Sequence, residues 1–379
     1  MTLTDRRPHD AVRTQRVLVG VSGGVDSAVT CLLLKTAGYH VSGAFLMTHD
    51  NADAARYDAE KLCRQLSIDF FPIDVRALFQ QTVIDPFVDA WLAGYTPNPC
   101  VICNPSLKFD VLLETARRNQ FDWIATGHYA AIERIEQTGR FALKKVTDGY
   151  KDQTYFLYRL NQDQLQHIMF PLGGYAKEEV RRIAARHNLV DQKGDQLALK
   201  QDSQDICFLP DKNYVQMIRE EAIRRSLANA DRLLEPGPIV NCDGEQIGTH
   251  PGLAYYTFGQ RKGFNVKTTD RLFVVDRNLD NRQLTVGPYE RVMQSKIRVT
   301  DIVFSGVDSF NEGEAMSGRI RSSAKPAPCR VYPNQDKNEI IVHFDEPVSA
   351  PTPGQSCVFY REQTILAGGL IDYNGVMTG

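Results

Sequence analysis

Two short strings hold residue types that could do chemistry. "SGGVDS" at 22–27 packs two glycines, two hydroxyls and a carboxylate together, and "PNPCVICNP" at 97–105 sets Cys100 and Cys103 among prolines. A third thiol, Cys207, stands in "DICF". Glycines let a chain bend tightly and approach a ligand, and the free N–H groups and positive dipole end of a following helix favour an anion. The stretch Gly20, Val21, Ser22, Gly23, Gly24, Val25, Asp26 and Ser27 therefore reads as a phosphate cradle. It lacks the lysine and spacing of a Walker A loop, and it is not G-x-G-x-x-G.

The cysteine pair admits three readings: half of a zinc site, a redox disulfide or a reagent. A closed zinc site needs about four ligands, and no second C-x-x-C or paired histidines complete one. Pro97, Pro99 and Pro105 predict an extended, turn-rich loop that presents side chains without secondary structure. Thiolates are strong nucleophiles near neutral pH when an electropositive setting lowers their pKa. The chain has eight cysteines. Cys31 and Cys63 fall in apolar helical patterns and read as core, whereas Cys242, Cys329 and Cys357 lie in β-like stretches without partners at useful spacing. Chemistry is left to Cys100, Cys103 and Cys207.

The elements that must position these groups follow from pattern. Up to about residue 130, apolar runs such as "RVLVGVS" and "HVSGAFL" alternate with helical stretches, which implies a parallel sheet wrapped by helices. A hairpin pattern occupies 130–146, and helices are expected at 161–170 and 176–188. Beyond about 230, short β-like runs separated by Gly and Pro turns suit a small β-domain and then a barrel. The predicted division is a flexible leader over 1–14, an α/β domain over 15–210, a central β-rich domain over 211–284 and a C-terminal β-barrel over 285–379.

The chain of 379 residues is 42 % apolar, enough for two or three cores, and no apolar run nears the roughly 20 residues of a membrane span. The N-terminus has no apolar h-region, so a cytoplasmic protein is expected. With a net charge of −2, an RNA partner must be held by local basic patches such as "GQRKG" and "RIRSSAK".

"SGGVDS" matches the pyrophosphate loop of the ATP pyrophosphatases, which transfer AMP onto a carbonyl or carboxylate oxygen. Taken in order, "GVSGGVDSAV", "YTPNPCVICNPSLKF", "ATGHYA", "KDQTYFLY", "FPLGGYAKEEVRRIA", "DSQDICF", "IGTHPGLAYYTFGQRKG" and "PGQSCVFY" resemble the tRNA-specific 2-thiouridylases from about residue 16 to the C-terminus. The resemblance implies an adenine nucleotide alpha hydrolase-like first domain and a central domain that binds tRNA. ATP with magnesium would bind along Gly20 to Ser27, near Met47 and Gly127, and adenylate the 2-oxygen of the wobble uracil. Cys207 would carry a persulfide from a sulfur-relay partner or cysteine desulfurase, and Cys103 would be the nucleophile. The two could also close a disulfide. Asn98, Pro99, Cys100, His128, Lys151, Asp152, Gln153, Arg321, Ser322 and Gln355 are the implied contacts to tRNA or the target base, and Asp26 is the one candidate for magnesium.

The chain departs from the family pattern twice. Ser322 stands where a tyrosine is common, and Cys100 replaces an aspartate that could act as acid or base. The third thiol opens a competing route through a 4Fe-4S cluster on Cys100, Cys103 and Cys207. Two other functions compete: an ATP pyrophosphatase acting on another substrate, which needs no cysteine pair, and a non-catalytic RNA-binding protein with a metal knuckle, which leaves "SGGVDS" unexplained.

Overall fold

The computed structural model describes residues 14–136, 138–146, 151–201, 206–209, 213–264, 266, 271–334 and 338–372. The expected leader falls, but for residue 14, outside them. Apolar β1 (Arg16–Gly20) lies at the centre of a parallel sheet with β2 (His40–Met47), β3 (Asp69–Asp74), β4 (Trp123–Thr126) and β7 (Ile168–Met169), in the order β3-β2-β1-β4-β7. Val17, Leu18 and Val19 are fully buried because helices cover both faces. The chain winds outward from β1 to β3 and returns on the other side at β4. This makes the β1/β4 gap a topological switch point, where ligands bind beyond the strands' C-terminal ends. Register sets Gly20 opposite Thr126 at that end.

The C-x-x-C segment is not an extended loop. Pro99–Cys103 opens a helix, with Asn98 as N-cap accepting the Cys100 N–H at 3.2 Å and Pro99 at the first helical position. Both are favoured helix-start residues, since proline has no N–H to orphan there. Pro105 would break a regular α-helix. Instead the chain widens into a π turn, Asn104–Phe109, before continuing as Asp110–Arg118. The helix expected over 161–170 stops at Leu165 and gives way to β7.

The second unit begins with a helix that the β-rich reading overlooked, Tyr214–Arg224. It packs beside the sheet of β8 (Gly237–Val240), β9 (Gln246–His250), β10 (Phe273–Asn278) and β11 (Gln283–Gly287), ordered β10-β11-β8-β9. The third unit comprises β12 (Met293–Phe304), β13 (Glu314–Arg319), β14 (Ala327–Asn334), β15 (Glu339–Ser349), β16 (Ser356–Arg361) and β17 (Thr364–Asp372). They run in the order β12-β15-β14-β13-β16-β17, and β17 pairs back with β12 to close the barrel.

The hairpin β5 (Ala131–Arg134) and β6 (Phe141–Lys144) belongs to the first unit in sequence but extends the barrel sheet beside β17. A second tie lies nearby. Arg319 of β13 donates to Asp152 at 3.0 Å, with side chains 12 % and 4 % exposed, and Asp152 also accepts from Thr154 Oγ1 at 2.7 Å. Breaking a buried pair strands the remaining charge. Arg319→Met is therefore expected to lower unfolding free energy by about 3–5 kcal/mol, read from urea denaturation, with the loss largely relieved in an Arg319→Met, Asp152→Asn double variant.

Candidate active site

The phosphate cradle forms where β1 meets α1 (Val25–Thr36). Gly23 has φ +74°, and a Cβ there would lie 2.7 Å from Asp58 Cβ and 3.0 Å from the Ala55 carbonyl. Only glycine fits. The Ser22 N–H donates to Ser27 Oγ at 3.2 Å, and Ser27 Oγ donates to the Gly24 carbonyl at 3.0 Å, which fixes the turn from within.

Asp26 sits in the first turn of α1, where its charge would repel a phosphate. Lys177 removes that conflict. Its Nζ lies 2.8 Å from each carboxylate oxygen, and Tyr129 donates a further bond to Oδ1 at 2.8 Å. Lys200 repeats the arrangement one layer out, with Nζ 2.7 Å from Asp58 and 3.2 Å from the Gly23 carbonyl. Sequence reasoning missed Lys177, Tyr129, Asp58 and Lys200 as site residues. "YAKEEV" and "TGHYA" were available signals, but nothing local ties either to Asp26. Asp26, the residue expected to hold magnesium, is engaged by Lys177 through both carboxylate oxygens.

Gly127 closes the opposite wall. A Cβ on it would lie 2.8 Å from Asp26 C and 2.9 Å from Ser27 N. His128 follows, with Nδ1 2.8 Å from Thr126 Oγ1 and its ring against Phe109 and Phe170. Burial, aided by the Lys108 ammonium, pushes its pKa down to about 3, so the imidazole is neutral at physiological pH.

A cavity of about 510 Å³ lies between these walls, within the range of small-molecule sites. Of the sequence-predicted residues, Gly20, Val21, Ser22, Asp26, Ser27, Gly127, His128, Gln153 and Cys207 line it, joined by Lys108, Thr48 and His49. Met47 does not. Leu46 and Thr48 face the cavity, and Met47, between them on the strand, packs against the core. Gln153 Oε1 is anchored by the Tyr129 N–H at 2.9 Å.

Cys207 is exposed at the cavity, whereas Cys103 is buried and Cys100 half-buried. Burial pushes the Cys103 thiol up to about 11, with Lys108 pulling against it and the other two thiols adding to it. Burial raises Cys100 as well, with Lys108 opposing and Cys207 adding to it. All three are free thiols, so the Cys103–Cys207 disulfide is not closed. Among the described residues no three His, Cys, Asp or Glu side chains gather to hold a metal ion. Cys100, Cys103 and Cys207 therefore do not form a cluster's ligand set as placed.

The remaining implied tRNA contacts are largely engaged within the protein. Asp152 is bound to Arg319, and Gln355 Nε2 donates to the Thr96 carbonyl at 2.7 Å. Pro99 is buried, and Asn98 caps its helix. Arg321 and Ser322 lie in the β13–β14 turn, where the Ser322 carbonyl accepts from Arg319. Lys151 is half-buried beside Asp152.

Gly127→Ala is expected to force the α1 start away from β4. Overpacking of this kind costs about 1–3 kcal/mol, and ATP affinity should fall by about tenfold, equivalent to about 1.4 kcal/mol, in a calorimetric titration. Unchanged affinity would mean that ATP does not use this cavity.

The family described as "tRNA methyl transferase HUP domain" matches residues 15–211, "tRNA methyl transferase PRC-barrel domain" matches 229–288 and "Aminomethyltransferase beta-barrel domain" matches 294–371. A Clostridioides difficile protein named tRNA-specific 2-thiouridylase MnmA is 37 % identical over 94 % of this chain and 98 % of its own. Its namesake from Carboxydothermus hydrogenoformans is 37 % identical over 96 % and 99 %. Among solved structures, a 4-thiouridine synthetase in complex with RNA and ATP aligns at 13 % identity over 56 % of this chain and 52 % of its own, with a TM-score of 0.34. By sequence similarity over nearly its whole length, the chain belongs to the tRNA-specific 2-thiouridylase family.

Proposed function

We propose that the protein replaces the 2-oxygen of the wobble uridine in tRNA with sulfur, using ATP. One observation carries this reading: Cys207 opens onto the same cavity as the pyrophosphate loop. A nucleotide there and a sulfur nucleophile can meet at one base. The cradle at Ser22 to Ser27 receives the leaving pyrophosphate, with the Asp26 charge already neutralised by Lys177. Attack of the uracil 2-oxygen on the α-phosphate gives the adenylate and releases pyrophosphate and the N3 proton.

A relay protein or desulfurase loads Cys207 as a persulfide, for which its exposure suits it. The terminal sulfur attacks C2, and the C2–O bond breaks as AMP departs. Cys103 then attacks Cys207 Sγ as a thiolate. This closes a disulfide and releases the 2-thiocarbonyl, whose N3 regains a proton. A thiol reductant reopens the pair for the next turnover. Because burial holds Cys103 well above the ordinary thiol range, its deprotonation is expected to need a shift of the helix that carries it toward Lys108 or solvent. His128, neutral, is suited to hydrogen bonding a base edge, and basic groups such as Lys151 and Arg321 are suited to phosphate.

The uracil must leave its stack to reach this cavity, at a cost of a few kcal/mol that is smaller in a single-stranded loop. Cys207→Ser is expected to lower tRNA thiolation by about a hundredfold or more while tRNA binding and pyrophosphate release persist. Unaffected thiolation would sink the persulfide assignment, and about four irons per chain in anaerobically prepared active protein would favour the cluster route.

A further inference from the structure

The strand end that prepares ATP and the segments that carry the thiols are held by different parts of the molecule. Gly20 to Ser27, Gly127 and Lys177 all belong to the first unit and bind one another. Residues 94–96, which lead into the Cys100 and Cys103 helix, are held mainly from outside it. Arg277 on β10 donates to the Gly94 carbonyl and lies 3.2 Å from Thr96 Oγ1, while its other terminal nitrogen donates to the Tyr256 carbonyl at 2.7 Å. The barrel supplies the rest. Thr96 N–H donates to the Pro353 carbonyl at 2.9 Å, Gln355 donates to the Thr96 carbonyl, and Tyr95 OH donates to Asp372 at 2.8 Å.

The same guanidinium lies 5.5 Å from the centre of the Trp91 ring. Trp91 stacks on Tyr214, the rings 4.9 Å apart and 22° from parallel. Tyr214 opens the helix that follows the Cys207 segment, and Phe208, next to Cys207, packs edge-on against Phe79 and Phe87 of the helix that contains Trp91. One buried side chain, 6 % exposed, thus reaches the approach to Cys103 directly and the chain beyond Cys207 through two rings. Arginine is suited to this because its planar fork donates in two directions while its face stacks on an aromatic ring.

We infer that Arg277 is a positioning residue for sulfur transfer: it sets the Cys103 and Cys207 segments against each other without contributing to adenylation. The inference rests on the thiolation reading above. It requires the second unit to govern one half of the reaction only. Displacing a reacting group by about 1 Å can cost as much as a hundredfold in rate, so the effect should fall on the sulfur step.

The test is a single turnover on the full chain with tRNA and a loaded persulfide, following pyrophosphate release and 2-thiouridine formation separately. In Arg277→Lys, which keeps the charge but loses the fork, thiouridine formation should fall by about tenfold or more with pyrophosphate release within about twofold of the parent. Closure of a Cys103–Cys207 disulfide by diamide, followed by mass spectrometry of the tryptic peptides, should slow alongside. Parallel loss of both half-reactions, or loss of neither, would overturn the inference. If the lysine variant melts early, Thr96→Val, which removes only the hydroxyl facing Arg277, carries the same comparison. A split in the same direction supports the inference, and no split overturns it. Failure of the thiolation reading is a different result: the parent chain itself would form no 2-thiouridine.

Discussion

The ion pair between Asp26 and Lys177 is the contact on which the rest of the active site depends. A carboxylate at the start of α1 is suited to the helix dipole and ill suited to a neighbouring phosphate. Lys177, 151 residues later in the chain, cancels the conflict, with Tyr129 completing the hydrogen bonding. The cradle is therefore receptive to an anion only once the first unit has closed, from β1 round to the helix Lys177–Arg186. Close packing of Gly127 against Asp26 and Ser27 enforces the same closure from the β4 side.

Against this rigid half stands a thiol half with different physics. Cys103 is buried enough that its proton is held tightly, whereas Cys207 lies exposed at the cavity. The asymmetry suits a division of labour in which one sulfur is loaded from outside and the other acts only when the first has reacted. Lys108, on the π turn just beyond Cys103, faces the cavity and opposes the effect of burial on both Cys100 and Cys103. The π turn itself follows from Pro105, which cannot continue a regular helix.

Much of this was legible in the sequence because it is local. "SGGVDS" encodes its own turn, apolar β1 encodes a buried central strand, and the order of the family strings located the three thiols and His128. Local reading failed where prolines have two meanings. Asn98 and Pro99 look like loop residues but are a cap and a first helical position, so local pattern predicts an extended segment where a helix stands. It also failed wherever a partner is distant in sequence. Nothing near Asp26 announces Lys177, nothing near Asp152 announces Arg319, and nothing in "GRFALKK" shows that this hairpin extends a sheet whose barrel strands begin at residue 293. Nor does anything near Gln355 announce the Thr96 carbonyl that accepts its amide.

In the proposed reaction the uracil 2-oxygen is activated by AMP and leaves with it. Its most direct test follows heavy oxygen placed at position 2 of the target uridine through one turnover with unlabelled ATP. The label is expected in the phosphate of AMP, with pyrophosphate unlabelled. Label released to water or found in pyrophosphate would contradict it.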